Sequence, residues 1–136
     1  MIHLVYVSSA TKEMSIGDLN SLLEQSRARN KRQNITGMLL YIGGNYIQVL
    51  EGDEKDVCEI YNSILDDSRN EGNIIVEEES IKERDFPTWS MGFQSIENSE
   101  MEGYSRFLMD NMRPEDIAIN QSSVVELLYL FKETNK

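Results

Sequence analysis

One cysteine, Cys58, and one histidine, His3, occur in 136 residues. A single thiol excludes an internal disulfide and a cysteine metal cluster. A single imidazole is poor material for a metal site or a catalytic dyad. No apolar run reaches the roughly 18 residues of a membrane span, and the N-terminus lacks a signal-peptide pattern, so the expected location is the cytoplasm. Basic clusters are missing too, and the net charge is −11. That balance argues against nucleic acid and anionic membrane surfaces as partners. There are no repeats, low-complexity segments or long linkers. What remains is an ordinary globular composition, 40% hydrophobic and 27% charged, in a chain of single-domain size with enough length for a real core.

Periodicity predicts the elements. Ile2–Ser9 alternates as a strand, with Leu4, Tyr6 and Ser8 on one face and Val5 and Val7 on the other. A helix follows, with Ser15 as N-cap and Asp18 completing a near capping box. Its apolar stripe, Leu19, Leu22 and Leu23, continues through Ser26 and Asn30, so two polar side chains stand where core residues belong. Ile35–Ile42 is apolar on both faces, and Gly43-Gly44 signals a hairpin. The returning strand reads GNYIQVLEG, with the amide of Gln48 at its centre. Asp53 is expected to cap a second helix with stripe Val57, Ile60, Tyr61 and Ile64, ending near residues 69–72. A fourth strand, Ile74–Ile81, carries three consecutive acids and reads as a charged edge. Phe86-Pro87 breaks the chain, and Trp89–Phe93 reads as a short fifth strand.

The fold class predicted is α+β, a ferredoxin-like βαββαββ mixed sheet with two helices on one face. Two C-terminal helices, about Ser99–Met112 and Ser122–Glu133, are expected to cover the other face, because strands apolar on both sides need cover on both.

In that architecture Tyr6, Gln48, Ser26 and Asn30 point into the space between the sheet and the first helix. Each alone has an ordinary explanation: a core tyrosine on a backbone carbonyl, a solvated strand glutamine, a serine near a helix end. Together, four uncharged hydrogen-bonding groups around one pocket suit a flat heteroaromatic ligand with a polar edge. They do not suit hydrolysis, since no acid, base or nucleophile accompanies them.

The blocks that carry these residues are ordered along the chain: Tyr6 with Ser8, Ser26-Arg27-Ala28-Arg29-Asn30, Ile35–Tyr41, Gln48-Val49-Leu50-Glu51-Gly52, Asp67-Ser68-Arg69 and Arg84–Met91. The sequence resembles the BLUF family, blue-light sensors using flavin, over about residues 2–96. The remainder resembles the helical cap of short, stand-alone members, so the expected organisation is a photosensory domain over 1–96 and a two-helix cap over 97–136 with no effector domain.

The resemblance implies a photoreceptor rather than an enzyme, holding non-covalent oxidised flavin between its two helices. FAD is the implied cofactor, with FMN possible. Tyr6 matches the photoactive tyrosine and Gln48 the switching glutamine; Asn30 matches the holder of the ring's carbonyl and NH edge, and Ser26 a neighbour that tunes the pocket. Further cofactor contacts are implied at Arg29, Ser63, Asp67 and Arg69, and Trp89 and Met91 match the pair that relays the signal. The family often has Arg-His where Arg69-Asn70 stands, and a basic residue at Ser63. No catalytic and no metal-binding residue is implied. Partners implied are a homo-oligomer (dimer or larger ring) and an effector protein. A small hydrolase on the same scaffold, using Asn30 and a nearby arginine, is the enzyme alternative; it lacks an anion-cradling loop. A colourless interaction module is the other. Glu77-Glu78-Glu79 invites a metal reading, but alternation puts Glu78 opposite its neighbours and favours a solvated edge. Cys58, one step off the second helix's stripe, reads as structural.

Overall fold

A computed structural model describes residues 1–42, 44–87 and 90–96. The elements are β1 (Ile2–Ala10), α1 (Ile16–Arg32), β2 (Thr36–Ile42), β3 (Asn45–Gly52), α2 (Glu54–Leu65), β4 (Asn70–Ser80) and β5 (Gly92–Ile96). The strands form one sheet in the order β4-β1-β3-β2-β5. β1 pairs antiparallel with β3 and β4, and β2 antiparallel with β3, while β5 lies parallel to β2. This is the expected α+β mixed sheet in βαββαββ order.

Local chemistry explains the elements. The Ser15 hydroxyl accepts from Asp18 N at 3.1 Å while the Asp18 carboxylate accepts from Ser15 N at 3.2 Å, a complete capping box. Arg29, Lys31 and Arg32 fill the last turn of α1, where the helix dipole favours cations. The buried stripe of α1 is Leu19, Leu23, Ser26 and Asn30, so the two polar residues do occupy core positions. Gly37 lets β2 lie against β3: a Cβ there would stand 1.9 Å from the Val49 carbonyl oxygen.

Leu4 and Tyr6 of β1, Leu39 and Tyr41 of β2, and Tyr46 and Leu50 of β3 share one sheet face. They form a single core cluster with Leu19 and Leu23 of α1 and Val57, Ile60, Tyr61 and Ile64 of α2. Both helices therefore cover the same face. The opposite face, including Val5, Val7, Met38, Leu40, Ile47 and Val49, is buried as well. The C-terminal helices expected to cover it lie outside the described residues.

Three boundaries differ from expectation. Asp53 is the N-cap of α2, yet its side chain makes no cap hydrogen bond; its carbonyl accepts from Val57 N at 2.9 Å. α2 stops at Leu65, and β4 begins at Asn70, earlier than expected. The Asn70 amide donates to the carbonyls of Ile64 (2.8 Å) and Asp67 (3.0 Å), closing the helix end, and β1 is long enough to pair Ala10 with Asn70. The fifth strand starts at Gly92 rather than Trp89. The carbonyls of Ser90 and Met91 are engaged by α1 side chains instead of a neighbouring strand: Asn30 Nδ2 donates to Ser90 O (2.7 Å) and Arg27 Nε to Met91 O (3.0 Å). Trp89 lies outside the described residues.

Glu51 is fully buried, at the end of β3. Its carboxylate accepts from Thr36 Oγ1 (2.9 Å), Asp85 N (2.5 Å) and Phe86 N (3.0 Å). Arg84 adds donors to Thr36 Oγ1, the Glu51 carbonyl and the Asn34 carbonyl. The segment after β4 is thus tied to the ends of β2 and β3. Three hydrogen bonds offset the desolvation of a buried carboxylate, which would otherwise be too unfavourable to keep.

Candidate functional site

Strand register brings Tyr6 and Gln48 face to face, directly opposite across β1 and β3. Both are buried, at 4% and 3% exposure. The Tyr6 hydroxyl donates to Gln48 Oε1. The other end of the amide, Nε2, donates to Met91 Sδ at 3.3 Å. The three side chains form an ordered relay of hydroxyl, amide and thioether, with no formal charge in it. Burial pushes the Tyr6 phenol far above its ordinary range, with Tyr61, 5.3 Å away ring to ring, adding to the effect. The tyrosine is therefore a neutral donor at any physiological pH.

Beside this relay is a cavity of about 260 Å³. Its walls are Tyr6, Tyr46 and Gln48 from β1 and β3, Leu39 from β2, one stripe of α1 (Leu22, Gln25, Ser26, Arg29, Arg32), Ile64 of α2, and Asp67, Arg69 and Asn70 beyond it. Leu22, Leu39 and Ile64 supply apolar walls, and the rest supplies donors and acceptors. Several of those are unused. Tyr46 OH and Arg29 Nε are buried and have no hydrogen-bond partner among the described residues. Gln48 Nε2 carries two protons and donates one to Met91. Buried polar atoms without partners are uncommon in native proteins, and here they surround an opening.

Asp67 and Arg69 form an ion pair at the cavity wall, 2.5 Å at its shortest. The Arg69 hydrogen bonds hold the Asp67 carboxyl below the usual carboxylate range, and the same bonds raise Arg69. Desolvation lowers Arg29, partly offset by Tyr6 and Asp67. Burial pushes the Tyr46 phenol up to about 12.

Among the residues singled out in the sequence, Tyr6, Ser26, Arg29, Gln48, Asp67 and Arg69 meet around this one cavity. Asn30 is fully buried one turn along from Ser26, behind the lining; its Nδ2 is on Ser90 O, and its Oδ1 has no partner among the described residues. Ser63 is not brought in: it is exposed and its hydroxyl donates to Glu59 O at 3.1 Å, one turn back in α2. Met91 is buried and touches the site through Gln48. Sequence reasoning missed Gln25, Arg32, Tyr46 and Asn70 as lining residues. The signals were present: Leu22, Gln25, Arg29 and Arg32 recur at helical spacing, and Tyr46 lies two residues from Gln48 on the same strand face.

The polar set suits a planar heteroaromatic ring: apolar walls for its faces, and the Gln48 amide, the Arg29 guanidinium and the Tyr46 phenol for its edge. Oxidised flavin has such a ring with alternating carbonyls and an NH, and the unpartnered atoms fit it.

Comparison with known proteins agrees. A family model described as BLUF, sensors of blue-light using FAD, matches residues 1–92. Photoactivated adenylate cyclase subunit beta of Euglena gracilis is 36% identical over 89 residues, 65% of this chain and 10% of the relative. The alpha subunit of the same organism is 40% identical over 84 residues, 62% of this chain and 8% of the relative. The chain thus spans about a tenth of the length of these curated relatives. Among solved structures, the dark state of the BLUF protein BlrB superposes with a TM-score of 0.70 at 30% identity, over 92% of this chain and 95% of that one. The BlsA ground state gives 0.79 at 27% identity, over 94% and 85%. With residues 1–92 matched by the family model and the fold shared, the chain belongs to the BLUF family of blue-light sensors.

Proposed function

We propose that this chain is a flavin photoreceptor whose switch is the Gln48 amide, set between Tyr6 and Met91. The observation that carries the reading is the continuous contact from Tyr6 OH through both ends of that amide to Met91 Sδ, along the wall of a cavity with unused polar atoms. When bound, the flavin supplies a blue-light-excited oxidant. Tyr6 is the electron donor, for which a phenol is suited and a phenyl ring is not. Its proton leaves along the hydrogen bond to Gln48 Oε1. A primary amide both donates and accepts without charge, so it can pass the proton on, hand it back as the electron returns to Tyr6, and then rest with its ends exchanged. Exchange removes the donor from Met91, because a thioether accepts hydrogen bonds and cannot give one. One or two rearranged buried hydrogen bonds amount to roughly 1–3 kcal/mol. That biases a two-state element by roughly five- to 150-fold and leaves the domain folded.

Ser26, Arg29, Asn30, Asp67 and Arg69 are the residues we assign to holding the cofactor, with Tyr6 and Gln48 at its reacting edge. FAD is the cofactor we assign, following the family's description; FMN shares the ring and is the alternative, distinguished by chromatography of the extracted pigment. We place the sensor in residues 1–96, working in the cytoplasm and without catalysis of its own, and its output in contacts with further copies of the chain or with an effector protein. The names of the cyclase relatives, light-regulated enzymes longer than this chain, favour a protein effector. Among the described residues no helix is long and apolar enough to cross a membrane.

The deciding measurement is an absorption spectrum in darkness, under blue light and after return to darkness. A yellow preparation with a reversible red shift is expected. A folded, colourless protein from cells supplied with ample flavin overturns the reading.

Two variants probe the supporting residues. Asn30→Ala should lose flavin on dialysis more readily than Ser26→Ala. Asn30 offers a buried, unpartnered Oδ1 and ties Ser90 in place, whereas Ser26 offers one hydroxyl. Equal retention in the two would refute the assignment of Asn30. Met91→Ala should retain the visible shift and weaken the structural response, read as light-dependent amide infrared bands. It removes the Sδ contact to Gln48 but neither the tyrosine nor the amide. Infrared changes at full wild-type amplitude would exclude Met91 as the relay.

A further inference from the structure

On the sheet face opposite the helices, β1 and the edge strand β4 bring together three side chains that the light response does not use. His3 lies directly across from Glu79, and Glu77 is two residues on along β4. Alternation therefore puts Glu77 and Glu79 on the His3 side and Glu78 on the other, where it faces Cys58 and α2. One ligand atom from each of His3, Glu77 and Glu79 can be chosen so that all three lie within 4.8 Å of one another.

The histidine is the second observation. His3 is 7% exposed, and its Nε2 is buried without a hydrogen-bond partner among the described residues. Glu77 Oε2 is only 2.9 Å away. Proximity without hydrogen-bond alignment means that the N–H axis passes the carboxylate oxygen by. A buried nitrogen beside a carboxylate but without an aligned hydrogen-bond partner among the described residues is unfavourable by the same desolvation argument that applies to any orphaned polar atom. A cation between the three groups satisfies all of them.

We infer that His3, Glu77 and Glu79 form a divalent cation site, with zinc as the ion that fits best. One imidazole nitrogen and two carboxylate oxygens are an acceptable zinc set, and calcium and magnesium prefer oxygen alone. Bonds of about 2.0–2.2 Å at tetrahedral angles put two donors on one ion about 3.5 Å apart, so any pair near the 4.8 Å limit needs a closure of about an ångström. Glu79, which is exposed, can rotate to make it, whereas His3 and Glu77 are held by burial. The exposed side leaves room for a water as fourth ligand and an entry path. Such an ion staples the edge strand β4 to the centre of the sheet and lowers its negative charge. Glu77 and Glu79 then serve the fold as ligands as well as a solvated edge.

The test is calorimetric titration of the intact chain with zinc, repeated with cobalt as a visible-absorbing probe. One ion per chain is expected, with the thermal midpoint rising in its presence. Glu79→Gln, at an exposed position where folding is not at risk, should weaken binding at least about tenfold, the loss typical of disturbing even the residues behind a metal ligand. His3→Gln should do the same. Glu78→Gln, on the opposite face, should leave affinity unchanged. The inference fails if wild type shows no saturable binding, or if Glu79→Gln and His3→Gln bind as wild type does. It fails equally if affinity follows Glu78→Gln or Cys58→Ser.

Discussion

Gln48→Leu should bind flavin in the dark and lose the normal light-induced red shift altogether. Leucine is close to glutamine in size, so the cavity wall is kept, and the other residues proposed to hold the cofactor are untouched. The substitution removes both ends of the relay at once: the acceptor for Tyr6 OH and the donor to Met91 Sδ. It also leaves the buried Tyr6 hydroxyl without its partner, which should lower stability by roughly 1–3 kcal/mol. Flash spectroscopy of the variant should still show electron transfer from Tyr6, since the phenol remains. A reversible, wild-type red shift in Gln48→Leu would remove the amide from the mechanism.

Tyr6→Phe should give the same visible phenotype for a different reason. The ring and its contact with Tyr61 are preserved, and only the hydroxyl goes. The bridge is intact and the donor is missing. The dark spectrum should stay close to wild type and the red shift should vanish. Combining the two variants should add nothing further to the loss, because donor and bridge act in series on one event. The pH behaviour of the wild type is a companion expectation. Burial raises the folded pKa of Tyr6 above its ordinary value of 10.0, so the neutral phenol persists in the folded protein beyond that pH. Its contribution to stability is complete below pH 10 and is lost only as pH climbs from there towards the folded value. The red shift at pH 10 should therefore match that at pH 7 in protein that remains folded. A response that titrates away with a midpoint near the ordinary value of 10.0 would show a phenol open to water.

The elements on which this argument rests were legible to different degrees. Alternation along β1 and β3 was enough to put Tyr6 and Gln48 on one face, and the capping box and the stripe of α1 put Ser26 and Asn30 opposite them. Those are local patterns, carried by neighbours in sequence. The start of β5 was not legible, because Trp-Ser-Met-Gly-Phe alternates equally well inside or ahead of a strand. Contacts from α1, where Asn30 and Arg27 engage carbonyls some 60 residues further on, decide it. Ser63 was misplaced for a similar reason. It neighbours Ile64, a lining residue, but a hydroxyl can bond the preceding helical turn, and this one does. The role of Glu51 was hidden because its partners are the backbone N–H groups of Asp85 and Phe86, which no side-chain pattern reveals. His3, one histidine with no second nearby in sequence, gained its acidic neighbours only through the β1–β4 register.

The buried carboxylate of Glu51 also gives the response a direction. It pins the backbone at Asp85 and Phe86, a few residues ahead of Met91, with bonds that involve neither the cavity nor the relay. The chain is therefore clamped upstream, while at Ser90 and Met91, among the described residues, its carbonyls are held by two side chains of α1 and the Met91 thioether by Gln48. Of these ties, the one to Gln48 is the one that the proposed amide exchange would break. If Met91 is the relay proposed above, its displacement would be directed away from the clamp and forward into β5.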